Sequence, residues 1–159
     1  MKNSKQSAGI LLYRFNGGQQ QFFLVHPGGP FWAKKDAGAW SIPKGEFTSE
    51  APLAAAKREF EEETGIILPF ADEVFKPLNP VTLASGKIIY AWAAQGDADA
   101  QSIKSNVFEM EWPPKSGRLI SIPEVDKAGW FNYADAKIMI NKAQASFIEE
   151  AVVSTKQML

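Results

Sequence analysis

"GEFTSEAPLAAAKREFEEETGI", Gly45 to Ile66, holds one helix and the densest charge in the chain. Pro52 is tolerated only in a first helical turn, so the helix starts there, with Ser49 or Thr48 as candidate caps. "LAAAKREFEEE" carries it forward, and Gly65 is a natural stop. Four glutamates, Glu59, Glu61, Glu62 and Glu63, crowd the last turns, where like charges three and four apart repel. With Phe60 at zero and about 100° per residue, Leu53 lies near +20° and Ala56 near −40°. These form a narrow apolar stripe. Glu63, Glu59 and Glu62 follow at about −60°, −100° and −160°, on one flank of that stripe, with Glu61 on the solvated side. Arg58 can grip a neighbouring carboxylate with two hydrogen bonds. Such a cluster is either a solvated acidic surface or a seat for a hard divalent cation. Mg2+ suits the second reading, since it takes oxygen ligands from a few carboxylates, phosphates and waters.

Outward from the helix, the chain reads as one mixed α+β domain over residues 1–159. "SAGILLYRF" and "QFFLVH" are β-rich runs joined by the turn signal "NGGQ". "PGGPFWAKKDAG" is a Gly/Pro-rich loop, "AWSIP" a short strand, and "KGEFTSE" a loop into the helix. "PVTLASGKIIYAWAA" reads as a second hairpin around "SGK". "NVFEMEW" reads as a strand ending at "PPKSG", and "AGWFNY" as a short strand before a helical turn near Ala134. "AKIMINKAQASFIEEAVVSTKQ" predicts a closing amphipathic helix with Ile138, Ile140, Ala145, Phe147, Ile148 and Val152 facing the core.

Composition narrows the chemistry. The chain of 159 residues has no cysteine, so it has no disulfide, thiolate nucleophile or cysteine zinc ligand. His26 is the only histidine and cannot build a histidine metal site. A net charge of −1 supplies no field for long nucleic acid or a membrane surface. The longest apolar run, "IIYAWAA", is too short to span a bilayer, and no signal peptide is evident. The expectation is a cytoplasmic protein. Oligomeric state is not legible.

The stretch Gly45–Ile66 resembles the Nudix box of the Nudix hydrolases. Its family pattern is Gly, five residues, Glu, seven residues, then Arg-Glu-apolar-x-Glu-Glu-x-Gly-apolar. Glu50, Arg58, Glu59, Phe60, Glu62, Glu63, Gly65 and Ile66 fit in register. The departure is at the front, where four residues rather than five separate Gly45 from Glu50. The loop before the helix is one residue short, which touches loop shape and substrate grip but not the carboxylates. "WSIPKG" is similar to the family's lead-in. "PKG", with Glu124 six residues before Trp130, is similar to the diadenosine tetraphosphate hydrolase branch of these MutT-like proteins.

The resemblance implies a Nudix-type α/β/α sandwich with a mixed β-sheet between helices. It implies a pyrophosphohydrolase, assisted by Mg2+ or Mn2+, that cleaves a nucleoside diphosphate linked to another group. By position, Glu59, Glu62 and Glu63 are the metal ligands and Arg58 orients a box glutamate. Glu50 supports from outside, and Gly45 lets the loop backbone approach closely. The charge logic agrees, since without cations four carboxylates could not stand beside a polyphosphate. A general base falls first to Glu124, then to Glu111 or Glu109, or to a box glutamate. Lys44 is a candidate phosphate contact against a plain surface lysine. Trp32, with Phe31 and Trp112, is a candidate for stacking on a base against loop packing. His26 reads as structural. The expected partner is a nucleotide-type small molecule, a dinucleoside polyphosphate or a nucleoside triphosphate. Two other readings compete: a noncatalytic nucleotide-binding or regulatory module on the same fold, and an ordinary α/β domain with an acidic surface helix.

Overall fold

The computed structural model describes residues 5–157. β1 (Gln6–Asn16) and β2 (Gln19–Pro27) form the expected hairpin. Gly17 and Gly18 both have positive φ, 60° and 81°, as a two-residue turn matched to strand twist requires. β3 (Lys44–Phe47) follows, then α1 (Pro52–Thr64), β4 (Lys76–Pro77), β5 (Val81–Thr82) and β6 (Ile88–Gln95). A separate ribbon of β7 (Val107–Glu111) and β8 (Leu119–Pro123) leads into β9 (Val125–Asn132). α2 (Tyr133–Met139) and α3 (Ala145–Gln157) close the chain.

The main sheet runs β4-β6-β1-β2-β9, with β1 and β6 parallel and its other pairs antiparallel. β1 changes partner along its length. Tyr13 to Asn16 pair with β2, whereas Gln6 to Gly9 pair with β3. The sheet therefore forks between β2 and β3, and Ser41 bridges the fork by pairing with Val25. β1 reads as a nearly unbroken apolar run because both of its faces are covered. Ala8, Ile10 and Leu12 join Phe23, Phe47, Ala55, Ala56 and Phe60 under α1. Leu11 joins Phe22, Leu24, Trp40, Ile140, Phe147 and Ile148 under α2 and α3. Helices on both faces of a mixed sheet make the expected sandwich.

Several local expectations change. The residue before a proline is driven to extended backbone. Ala51 (φ −62°, ψ 139°) is therefore the helix N-cap, with no side-chain cap bond, and Ser49 and Thr48 stand outside that role. "AWSIP" contributes only bridges, Val25 with Ser41 and Trp40 with Ile140. "KGEF" is a strand, not a loop, because β1 offers it a free edge. β8 had no forecast. The closing helix is broken at Ile140. The Trp40 N–H donates to the Met139 carbonyl (3.0 Å) and the Asn141 N–H to the Trp40 carbonyl (2.7 Å), so the backbone there serves Trp40 rather than the helix. The break shifts the helical phase and leaves Ile138 62% exposed, while Ile140, Phe147 and Ile148 are buried.

Candidate active site

Arg58 is the hub of the helix's charged flank. Its Nε donates to both Glu50 oxygens (3.0 and 2.9 Å) and its Nη2 to Glu50 Oε1 (2.6 Å). Its Nη1 donates to Glu59 Oε1 (2.9 Å) and to both Glu62 oxygens (3.1 Å). These bonds hold Arg58 above its ordinary range, and they hold the Glu50 carboxyl below its own. The guanidinium is thus a fixed strut that ties the helix entry to two box carboxylates.

Gly45 explains how Glu59 is buried (7% exposed) at the helix–sheet contact. A Cβ at Gly45 would overlap the Glu59 carboxylate, so only glycine lets β3 pass that close. One turn on, Glu63 Oε1 accepts the Lys44 backbone N–H (3.3 Å). Burial pushes the Glu63 carboxyl up to about 8, with the Glu124 and Glu59 charges adding to the rise and Lys44 opposing it. Burial likewise raises Glu59 against the pull of Arg58, with Glu62 and Glu124 adding to the rise. Burial lowers the Lys44 ammonium, helped by Lys87 and opposed by Glu63, Glu46 and Glu59.

Glu124 joins this group from 61 residues further along than Glu63 in sequence. It is the single residue between β8 and β9. Its N–H donates to the Asn106 carbonyl (2.8 Å) and its carbonyl accepts from Gly28 (3.1 Å). The Asn106 N–H in turn donates to the Glu62 carbonyl (2.8 Å), so the base of the ribbon is tied to the box helix. Burial and the Glu62 charge raise the Glu124 carboxyl. Glu124, Glu63, Lys44 and Ser41 line a cavity of about 140 Å3 at the fork of the sheet. A second cavity of about 360 Å3 is lined by Arg58, Glu62, Lys104 and Asn106.

The remaining candidates stand elsewhere. Trp32 lies in the loop after β2, edge-on to Phe31 (5.0 Å), with the Lys35 ammonium 3.5 Å from the centre of the Phe31 ring. It is not among the residues lining the Glu63–Glu124 cavity. Glu111 accepts the Lys115 N–H (2.6 Å) within the β7–β8 turn, and Glu109 is exposed on β7. His26 is buried, with Nδ1 2.9 Å from Asp126 and Nε2 2.6 Å from the Lys35 carbonyl, which holds the loop to β9. Asp126 lies within β9.

Gln144 was missed. It is fully buried, and its Oε1 accepts the Ile42 N–H (3.0 Å) while its Nε2 donates to Ser41 Oγ (3.0 Å). It thereby fixes the segment that delivers Lys44 and Gly45. The only local signal was a glutamine set among core-facing positions, which a helical reading assigns to the solvent face.

Among the described residues, no three acidic or imidazole groups are gathered round one point as metal donors are. The donor chemistry nevertheless suits a hard divalent ion. Glu59, Glu63 and Glu124 are oxygen donors whose proton affinity is raised by burial and by neighbouring carboxylates, while Arg58 pulls Glu59 and Lys44 pulls Glu63 the other way.

The family model described as the NUDIX domain matches residues 4–151. No curated protein matches the chain in sequence. Several solved structures share its fold. The NUDIX domain of Shewanella oneidensis NrtR complexed with ADP ribose has a TM-score of 0.68 at 17% identity, over 98% of this chain and 90% of that one. A Caenorhabditis elegans Ap4A hydrolase has a TM-score of 0.66 at 19% identity, over 98% and 99%. A structure reported for MutT of Aliivibrio salmonicida and Vibrio cholerae has a TM-score of 0.56 at 14% identity, over 94% and 96%. With the box helix, its arginine strut and the forked mixed sheet in place, the chain belongs to the NUDIX domain family of hydrolases.

Proposed function

We propose that the chain, as a single domain, is a Mg2+-dependent pyrophosphohydrolase, with Mn2+ able to substitute. Its substrate is a nucleoside diphosphate linked to another group, of the dinucleoside polyphosphate or nucleoside triphosphate class, met in the cytoplasm. The observation that carries this reading is the convergence of Glu124 on the box glutamates beside Lys44. Glu59, Glu62 and Glu63 would hold the cation. When bound, a divalent cation offsets phosphate charge and lowers the pKa of a coordinated water. Arg58 keeps Glu59 and Glu62 oriented. Glu124 accepts a proton from the attacking water, and its raised proton affinity brings it nearer the working pH, as a base needs. Lys44 meets a phosphate oxygen as a point charge, Gly45 lets the backbone come close, and Trp32 is available to stack on a base.

The test is phosphate or pyrophosphate release from a panel of nucleoside diphosphate derivatives, with Mg2+ and with chelator. The panel includes diadenosine tetraphosphate and ordinary and oxidised nucleoside triphosphates. Metal-dependent turnover of one class is expected. Survival of near wild-type turnover in Glu62→Gln would overturn the metal assignment. The alternative is a noncatalytic nucleotide-binding module. The neighbour solved with ADP ribose favours keeping it, and tight binding without turnover of any panel member would select it.

A further inference from the structure

The ribbon β7–β8 is a sheet of its own, outside the seven-stranded sheet. Its register decides which side chains share a face. Phe108 pairs with Ile122 and Met110 with Ile120. The ladder continues at its base, where the Glu124 N–H donates to the Asn106 carbonyl, and at its tip, where the Trp112 N–H donates to the Arg118 carbonyl. Side chains alternate along a strand. Glu124 therefore shares its face with Ile122, Ile120 and, at the tip, Arg118, and across the ladder with Phe108, Met110 and Trp112. The opposite face mixes Glu109, Glu111 and Ser121 with exposed Val107 and Leu119 and lies away from Glu124. Only the root of the apolar face is covered. Ile122 is 3% exposed, beneath the loop at Gly29, whereas Phe108 is 42% and Ile120 37% exposed.

We propose that this apolar face binds the nucleobase of the substrate whose phosphates lie at Glu124 and the box glutamates. The proposal rests on the hydrolase reading above. Continuity argues for it. One ladder carries the Glu124 carboxylate at its root and the apolar side chains of Phe108, Met110, Ile120 and Ile122 beyond it, with Arg118 at the tip. A ligand that fits has an anionic end and a flat, uncharged end. The reach agrees. At about 3.3 Å per residue, the Phe108–Ile122 pair stands about 7 Å from Glu124 and the Met110–Ile120 pair about 13 Å. A ribose and its nearest phosphate fill a gap of that order. The loop after β2 meets the same root, where Gly29 lies against Ile122. A second copy of the chain seated here would instead shut the cleft at Glu124, and the test distinguishes that occupant.

The test follows the Ile120 and Met110 methyl resonances while the protein is titrated, with Mg2+, against ADP and separately against inorganic pyrophosphate. ADP is expected to shift both methyls by ring current, and pyrophosphate is not. Phe108→Ala and Ile120→Ser are expected to weaken ADP about tenfold. They should leave pyrophosphate affinity unchanged, and Ser121→Ala on the opposite face should alter neither. Equal affinity for ADP in wild type and Phe108→Ala, with still methyls, overturns the proposal while leaving the hydrolase reading intact. So does sedimentation showing that Phe108→Ala splits a dimer without changing ADP affinity. Failure of both ADP and pyrophosphate to bind with Mg2+ overturns the hydrolase reading itself, and this proposal with it.

Discussion

α1 and α3 are each thirteen residues long and pack on opposite faces of one sheet, yet they handle acidic residues in opposite ways. α3 buries Phe147, Ile148 and Ala151 and turns its acids outward. Glu149 meets Lys137 (2.7 Å) and the Tyr133 hydroxyl (2.6 Å), and Glu150 accepts the Asn79 N–H (2.9 Å). α1 buries Phe60 and two alanines but draws Glu59 in with them, and leaves Glu62 half-buried on Arg58 and Glu63 half-buried against Lys44. A helix built for stability alone would follow α3. α1 thus departs from the local folding rules that α3 obeys, and such departures are expected at functional sites.

The largest effect that would sharpen this contrast is on α3. Phe147→Ala should cost about 3–5 kcal/mol in a urea melt while leaving turnover per folded molecule unchanged. Glu62→Gln should do the reverse. Metal-dependent turnover is expected to fall about 100-fold or more with no loss in the melting temperature. A matching stability loss would mean that α1 is an ordinary structural helix.

Gly45→Ala should move both quantities. A Cβ there enters the Glu59 carboxylate, so Glu59 must leave its place. About 1–3 kcal/mol of stability should go, together with most of the activity, and unchanged values for both would show that β3 can simply shift.

The smallest effect is in pH. The folded Glu63 carboxyl, pushed up to about 8, holds a proton that the unfolded chain releases near its ordinary value of 4.5. Its contribution is complete below about pH 4.5 and is lost as pH rises through about 8, so the metal-free protein should melt lower at pH 9 than at pH 5, other groups being equal. Mg2+ should reverse that trend, because metal binds the deprotonated form, and its thermal shift should grow with pH. A Mg2+ shift that is absent at all pH values would break the distinction between the two helices.

What could be read beforehand follows the range of the interactions. The α1 flank was legible because helical periodicity and the Gly65 stop are local. The first hairpin was legible because its turn lies in two adjacent glycines. β3 was not, since "KGEF" becomes a strand only through the free edge of β1. Neither was the break at Ile140, which depends on Trp40 a hundred residues earlier. Glu124 could be singled out from the sequence, but its meeting with Glu63 depends on where β8 turns into β9. Gln144 had no local pattern, because its partners are the Ser41 hydroxyl and the Ile42 N–H.

Gln144 also sets a schedule. Its bond to Ile42 joins residues 102 positions apart. During synthesis, which runs from the N-terminus, Lys44, Gly45 and the whole box helix are made long before the side chain that anchors the strand entry beside them. A nascent chain halted before position 144 would carry Glu59, Glu62, Glu63 and Glu124 and yet hold the segment leading to Lys44 by one fewer support. The placing of Lys44 and Gly45 thus leans on a side chain that is translated only after the box helix and β9.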